Sequence, residues 1–163
     1  MSIHFHEEDL PDGLSFEGAI AVDTEAMGLH PARDRLCLVQ LSDGRGDEHL
    51  VRFRKGSAYS APNLKALLGD PNRLKLYHFA RFDVAMIQAY LGFMAAPLYC
   101  TRTASRLVRT YTDRHGLKDL VRELLGHDTH PFVDFRCAWT LTPVHPFGQP
   151  LVRRVTVCSS PHS

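Results

Sequence analysis

Cysteine is sparse: Cys37, Cys100, Cys137 and Cys158 are the four in 163 residues, with no Cys-x-x-Cys pair. Such spacing argues against a zinc site of the usual kind and against a dense disulfide framework. No apolar run reaches membrane-spanning length, so no membrane partner is expected. The opening Met1-Ser-Ile-His-Phe-His-Glu-Glu has neither the basic region nor the apolar stretch of a signal peptide. A reducing cytoplasm is the expected setting. A charge excess is missing too. Nineteen Lys and Arg against eighteen Asp and Glu give a formal net charge of +1, which argues against a protein that coats nucleic acid passively. Any nucleic-acid site must be local. No internal repeat is present.

What is there reads as one domain of ordinary soluble composition, 44% hydrophobic and 23% charged. Leu14 to Asp23 is read as a strand with a buried-type run, Ala19-Ile20-Ala21-Val22. A polar turn from Met27 to Arg35 follows, then strands over Leu36–Leu41 and His49–Phe53, suggesting an antiparallel meander. Helices and strands then alternate. Pro62–Leu68 has helical spacing and stops at Gly69, and Leu74–His78 is extended. Phe82, Met86, Ile87 and Tyr90 share a helical face, and Pro97–Tyr99 is a short strand. Thr101 is expected to cap a helix running toward Tyr111, and Gly116–Leu125 is a last helix stopped by Gly126. The expected class is α/β, with a mixed sheet and flanking helices. Residues 1–126 form that domain. Residues 127–163 read as an atypical tail, rich in Pro and His and expected to be disordered at its end.

Three acids carry the chemistry. Asp23 and Glu25 sit two apart where the first buried strand emerges, so both point to one face. Paired carboxylates repel unless a cation joins them, and hard oxygens suit Mg²⁺ or Mn²⁺. Asp83 falls in the first turn of a later helix, where the helix dipole is expected to stabilise its anion by roughly 0.3–1 kcal/mol, with Phe82 turned to the core. Each feature alone reads more readily as an incidental acid at an element end. Together they describe a site for two metal ions that activate water and steady a leaving oxygen. Arg102, Arg106 and Arg109 recur at helical spacing, either as a basic stripe along a phosphate backbone or as a solvated helix face. His115 and Lys118 stand near a helix start whose backbone donors could hold phosphate.

Ala19-Ile20-Ala21-Val22-Asp23-Thr24-Glu25 resembles the first motif of the DEDD exonuclease superfamily, and His78-Phe79-Ala80-Arg81-Phe82-Asp83 resembles its second. Cys100-Thr101-Arg102-Thr103-Ala104-Ser105-Arg106-Leu107 and His115-Gly116-Leu117-Lys118-Asp119-Leu120 are similar to segments of the ribonuclease D branch. The likeness runs in order over residues 14 to 126. It implies a ribonuclease H-like fold, two divalent cations (Mg²⁺ or Mn²⁺) and 3′-to-5′ removal of nucleotides from RNA or single-stranded DNA. It also implies that Asp23, Glu25 and Asp83 bind metal, with Glu25 meeting the terminal hydroxyl. Thr24, Met27, Leu29, His78, Phe82, Arg102, Arg106, His115 and Lys118 are then expected along the substrate, Met27 and Leu29 as wedges against terminal bases or as ordinary loop packing.

The branch's third motif, a Tyr followed four residues later by an Asp, has no counterpart. The last Tyr is Tyr111, and the acids after Glu123 are Asp128 and Asp134. The fold is therefore expected to be incomplete at its C-terminal end, with apolar sheet surface exposed and activity impaired. Three outcomes stay open: a weak exonuclease, a catalytically inactive nucleic-acid-binding module, and a remnant without function. The tail is read either as a frameshift between Gly126 and Trp139 or as divergence or decay. Codons for Arg153-Arg154-Val155-Thr156 read one base earlier can encode Ala-Ala-Ser-Asp, a run common in the third motif, although that shift cannot put Tyr directly before it. Sequence leaves oligomeric state and pathway open.

Overall fold

A computed structural model describes residues 2–126, and the readings of the tail fall outside them. Six strands make one sheet: β1 (Ser2–Glu7), β2 (Ile20–Ala26), β3 (Leu36–Ser42), β4 (Asp47–Arg52), β5 (Lys75–Tyr77) and β6 (Leu98–Cys100), in the order β1-β4-β3-β2-β5-β6. The expected meander is present, β2 with β3 and β3 with β4 being antiparallel. Beyond it β2, β5 and β6 run parallel, so their C-terminal ends share one edge of the sheet. Parallel neighbours need crossovers. Those here are helical: α1 (Pro62–Gly69) before β5 and α2 (Arg81–Leu91) before β6. Helices α3 (Thr101–Val108) and α4 (Leu117–Leu125) follow. The mixed α/β architecture is the expected one.

The sheet's centre is legible in its side chains. All seven residues of β3 are buried, as a continuous apolar run covered on both faces should be. Ile20 and Val22 of β2 join Leu64 and Leu68 of α1 and Met86 and Ile87 of α2 in one core. Removing such a side chain, as in Met86→Ala, costs about 2–5 kcal/mol. Lys75 lies wholly buried in this frame. Its Nζ donates to the carbonyls of Asp70 (2.6 Å) and Ala96 (2.8 Å), tying the α1–β5 turn to the approach to β6.

Strand β1 was not expected. Ser-Ile-His-Phe-His-Glu puts only Ile3 and Phe5 on one face, and its burial is slight. It pairs in parallel with β4 along its whole length. His4 and His6 stack on His49 at 4.9 and 5.3 Å, and Phe16 meets His49 edge-on. The strand is held by cross-strand ladders and ring contacts rather than by burial.

A second difference concerns Thr101. It is not the N-cap of α3; Cys100 takes that position, without a side-chain cap bond. The Thr101 hydroxyl instead donates to the Tyr77 carbonyl at 3.1 Å, joining the ends of β5 and β6.

Candidate active site

The first-motif acids stand where β2 leaves the sheet. Asp23 and Glu25 are half-buried, with Thr24 buried between them. Asp83 arrives on the first turn of α2 and is only 3% exposed. One contact joins the motifs: Thr24 donates to Asp83 Oδ1 from its backbone N–H at 2.9 Å and from its Oγ1 hydroxyl at 2.8 Å. The middle residue of Asp-Thr-Glu therefore docks the second motif onto the first. Met86 and Ile87, one turn on, sink into the core and fix the helix in that register.

Burial overrides the helix dipole at Asp83. Its carboxyl is pushed up to about 7, first by desolvation and further by the nearby Glu25 charge, while the two Thr24 bonds pull the other way. The expected stabilised anion is thus corrected. A fraction of a kcal/mol from the dipole is outweighed by taking a carboxylate out of water. Tyr77, also buried, has an unpartnered hydroxyl and is raised by burial and by Asp83.

The oxygens of this set have the hardness a divalent cation selects, and the crowding of Asp83 by Glu25 is a repulsion that such a cation relieves. The donor chemistry fits a metal. Among the described residues, however, no three His, Cys, Asp or Glu are gathered closely enough to hold one.

The neighbouring substrate residues divide. Met27 and Leu29 are 49% and 80% exposed, on a loop closed by Met27 N–H to the Arg35 carbonyl at 3.0 Å. Asp34 organises that loop. It accepts from His30 N–H at 3.0 Å and from Arg33 Nε and Nη2 at 2.7 and 2.8 Å, and these bonds hold its carboxyl at about 2. A Cβ on Gly28 would lie 2.3 Å from Asp34 Oδ2, so any larger residue there must push the Asp34 carboxylate out of its bonds to His30 and Arg33. Phe82 packs on the core as expected, which leaves it a structural anchor for the helix start.

His78, just past β5, bonds Thr101 Oγ1 at 2.9 Å. The single Thr101 proton goes to the Tyr77 carbonyl, so His78 Nδ1 must carry the hydrogen and donate. Burial and the neighbouring Arg102 lower the imidazole to about 4.

The three arginines do not make a stripe. Arg106 is exposed, but Arg102 is half-buried with its guanidinium over the Phe79 ring. Arg109 is 4% exposed and pairs with Glu123, Ser105 Oγ (2.9 Å) and the Arg114 carbonyl (2.8 Å). It ends α3 rather than extending it, because the helix stops at Val108. Lys118 is exposed on α4, whereas His115 is engaged by Ser105 at 2.9 Å.

Sequence reasoning missed Asp34, Phe79 and the pairing role of Arg109. For Asp34 the signal was an acid flanked by Arg33 and Arg35 after a Gly-containing turn. For Phe79 it was an aromatic at a strand–helix junction.

Beside this edge, α3 and α4, Ala19 and the sheet residues Ala21, Leu76 and Tyr99 line a mostly apolar cavity of about 470 Å³. Val108, Leu124 and Leu125 at its rim are 74%, 65% and 40% exposed. The expected uncovered apolar surface is present among the described residues.

Comparison with known proteins agrees with this geometry. The 3′–5′ exonuclease family matches residues 3–142, continuing past Gly126. Ribonuclease D of Acidiphilium cryptum (strain JF-5) is 32% identical over 138 residues, covering 83% of this chain. The chain spans only 33% of that relative's length. Among solved structures, Brucella melitensis NrnC with bound Mg²⁺ superposes with a TM-score of 0.75 at 42% identity, covering 89% of this chain and 70% of the other. The same protein bound to pGG gives a TM-score of 0.76 at 42% identity over the same shares.

Proposed function

Since the chain belongs to the 3′–5′ exonuclease family, we propose that it is a metal-dependent exonuclease that hydrolyses phosphodiester bonds from the 3′ end of RNA or single-stranded DNA. The observation that carries this reading is the Thr24–Asp83 contact, which locks the acid of one motif against the acid pair of the other. Asp23, Glu25 and Asp83 would hold two divalent cations, Mg²⁺ or Mn²⁺. Bound there, the cations supply a lowered pKa for the attacking water and charge neutralisation for the leaving oxygen. The chain's own residues do the positioning. Glu25 meets the terminal hydroxyl, Thr24 keeps Asp83 on station, and the exposed Met27 and Leu29 wedge the terminal bases.

Likeness to a protein solved with pGG favours short RNA as the first substrate to try. A cytoplasmic setting is part of the same proposal, in keeping with four widely spaced cysteines and no Cys-x-x-Cys pair.

One observation supports a second reading, a catalytically inactive module that binds nucleic acid. No Tyr is followed four residues later by Asp after Tyr111, and the three acids do not close into a metal group among the described residues. The deciding experiment incubates the full chain with 5′-labelled single-stranded RNA and with pGG. Mn²⁺ or Mg²⁺ is present or chelated, beside Asp23→Ala. Metal-dependent shortening from the 3′ end, absent in the variant, supports the enzyme. A folded chain that binds RNA but leaves no ladder is the inactive module.

A further inference from the structure

Phe79 stands at the edge of the candidate active site in a conformation a phenylalanine seldom adopts. It follows His78 at the end of β5, and its carbonyl accepts from Phe82 N–H at 3.2 Å as α2 begins, one residue before Asp83. Its φ is +69°, the left-handed region that glycine or asparagine fills at little cost. A bulky residue kept there is strained, and such strain gathers where a side chain is needed in one direction. Burial does not repay that strain, since Phe79 is 47% exposed while Ala80 beside it is buried.

The surroundings hold the ring in place. Arg102, on the first turn of α3, lies with its guanidinium carbon 4.6 Å from the Phe79 centroid, inside cation–π range. The Arg102 Nε is buried and has no hydrogen-bond partner. A buried guanidinium N–H left without a partner is costly, and this guanidinium lies against the Phe79 ring. His78 is bonded to Thr101, whose hydroxyl donates to the Tyr77 carbonyl. The loop is therefore pinned to the β6–α3 junction just before Phe79, and the Phe82 N–H bond to the Phe79 carbonyl closes it just after. Arg102 takes one face of the ring, and the exposed part offers the other face and its edge.

Resting on the exonuclease reading, we propose that Phe79, backed by Arg102, is a stacking platform for an unpaired nucleobase of the bound strand. Stacking tolerates any base because each has a π-face. The platform thus positions the strand without reading its sequence. The cation behind the ring adds attraction for an electron-rich base stacked on the front.

The test uses the full chain with short single-stranded oligoribonucleotides carrying 2-aminopurine at the last, second-last or third-last position, in chelator so that nothing is cut. Stacking on an aromatic ring quenches 2-aminopurine fluorescence. The wild type and Phe79→Tyr are expected to quench one of the three positions. Phe79→Gly is expected to lose that quench and to bind about 5- to 100-fold more weakly. Phe79→Gly also relieves the left-handed strain, so it should fold, and its circular dichroism checks that it does. Arg102→Met should weaken the quench without abolishing it.

Undiminished quenching and binding by Phe79→Gly overturns the platform. If that variant also cuts RNA normally when Mn²⁺ is added, the exonuclease reading stands alone. Quenching by a wild type that cuts nothing leaves the platform and removes the exonuclease. Failure of the wild type to bind any of the three probes overturns both.

Discussion

Asp83→Asn should stabilise the metal-free protein at alkaline pH, although it removes a carboxylate from the candidate site. Asp83 is 3% exposed and its carboxyl is raised from 3.8 to about 7. Below pH 4 it is protonated in both folded and unfolded chains and costs nothing extra. Between pH 4 and 7 the unfolded chain ionises while the folded one holds its proton, so stability is lost as pH rises. Above pH 7 the loss is complete, at about 4 kcal/mol for a displacement of that size. Asparagine is the neutral near-isostere. Its Oδ1 can accept both Thr24 bonds, and it never ionises. Urea unfolding in EDTA, followed by circular dichroism from pH 4 to pH 8, gives the difference between the two proteins. Glu48, raised to about 7 by burial, and His78, His6 and His49, lowered mainly by burial, titrate alike in both and cancel. The gap should be near zero at pH 4 and reach a few kcal/mol in favour of Asp83→Asn at pH 8. Added Mn²⁺ should then stabilise the wild type and leave the variant unmoved. A variant no more stable than wild type at pH 8, or a gap independent of pH, refutes the claim that desolvation governs Asp83.

Thr24→Val removes the Oγ1 donor and keeps the backbone one, so at pH 8 in EDTA it should cost roughly 1–3 kcal/mol. That cost should shrink in an Asp83→Asn background, which a double-mutant cycle in urea measures. Gly28→Ala forces a methyl onto Asp34 Oδ2 and should destabilise the chain by roughly 1–3 kcal/mol. If Met27 and Leu29 wedge the bases, steady-state kinetics should also show a raised KM for short RNA. His78 is half-buried and neutral, with its imidazole lowered to about 4 by desolvation and by Arg102. The stability this contributes is present above pH 6.5 and lost as pH falls toward 4. Comparing urea midpoints of wild type and His78→Gln over that window should show the smaller acid loss in the variant.

How much of this was legible depended on whether a residue's role was local. The buried run ending in Asp23 and Glu25 is an unbroken apolar stretch, and Met86 and Ile87 follow the 3.6-residue helical period; both are patterns of near neighbours. β2 and α2 were therefore readable. β1 was not, because Ser-Ile-His-Phe-His-Glu offers only Ile3 and Phe5 in alternation, and neither is buried. It is a strand only because β4 offers an edge 45 residues away. The same divide runs through the site. That Asp83 sits on the first helical turn is local and was foreseen. That its anion is disfavoured is not, since desolvation depends on everything packed around it. Arg102, Arg106 and Arg109 at first look alike in spacing, yet the helix ends at Val108 and turns Arg109 inward to Glu123. Arg102 meets Phe79 across the β5–β6 edge, a pairing no helical wheel contains. The middle letter of Asp-Thr-Glu makes the point most sharply. Alternation along a strand assigns Thr24 to the face away from the two acids, and the family resemblance set it along the substrate. Its backbone and hydroxyl together are what attach Asp83 to them. The motif is physically two carboxylates and a clamp, and the clamp is visible only once the second motif has been folded against it.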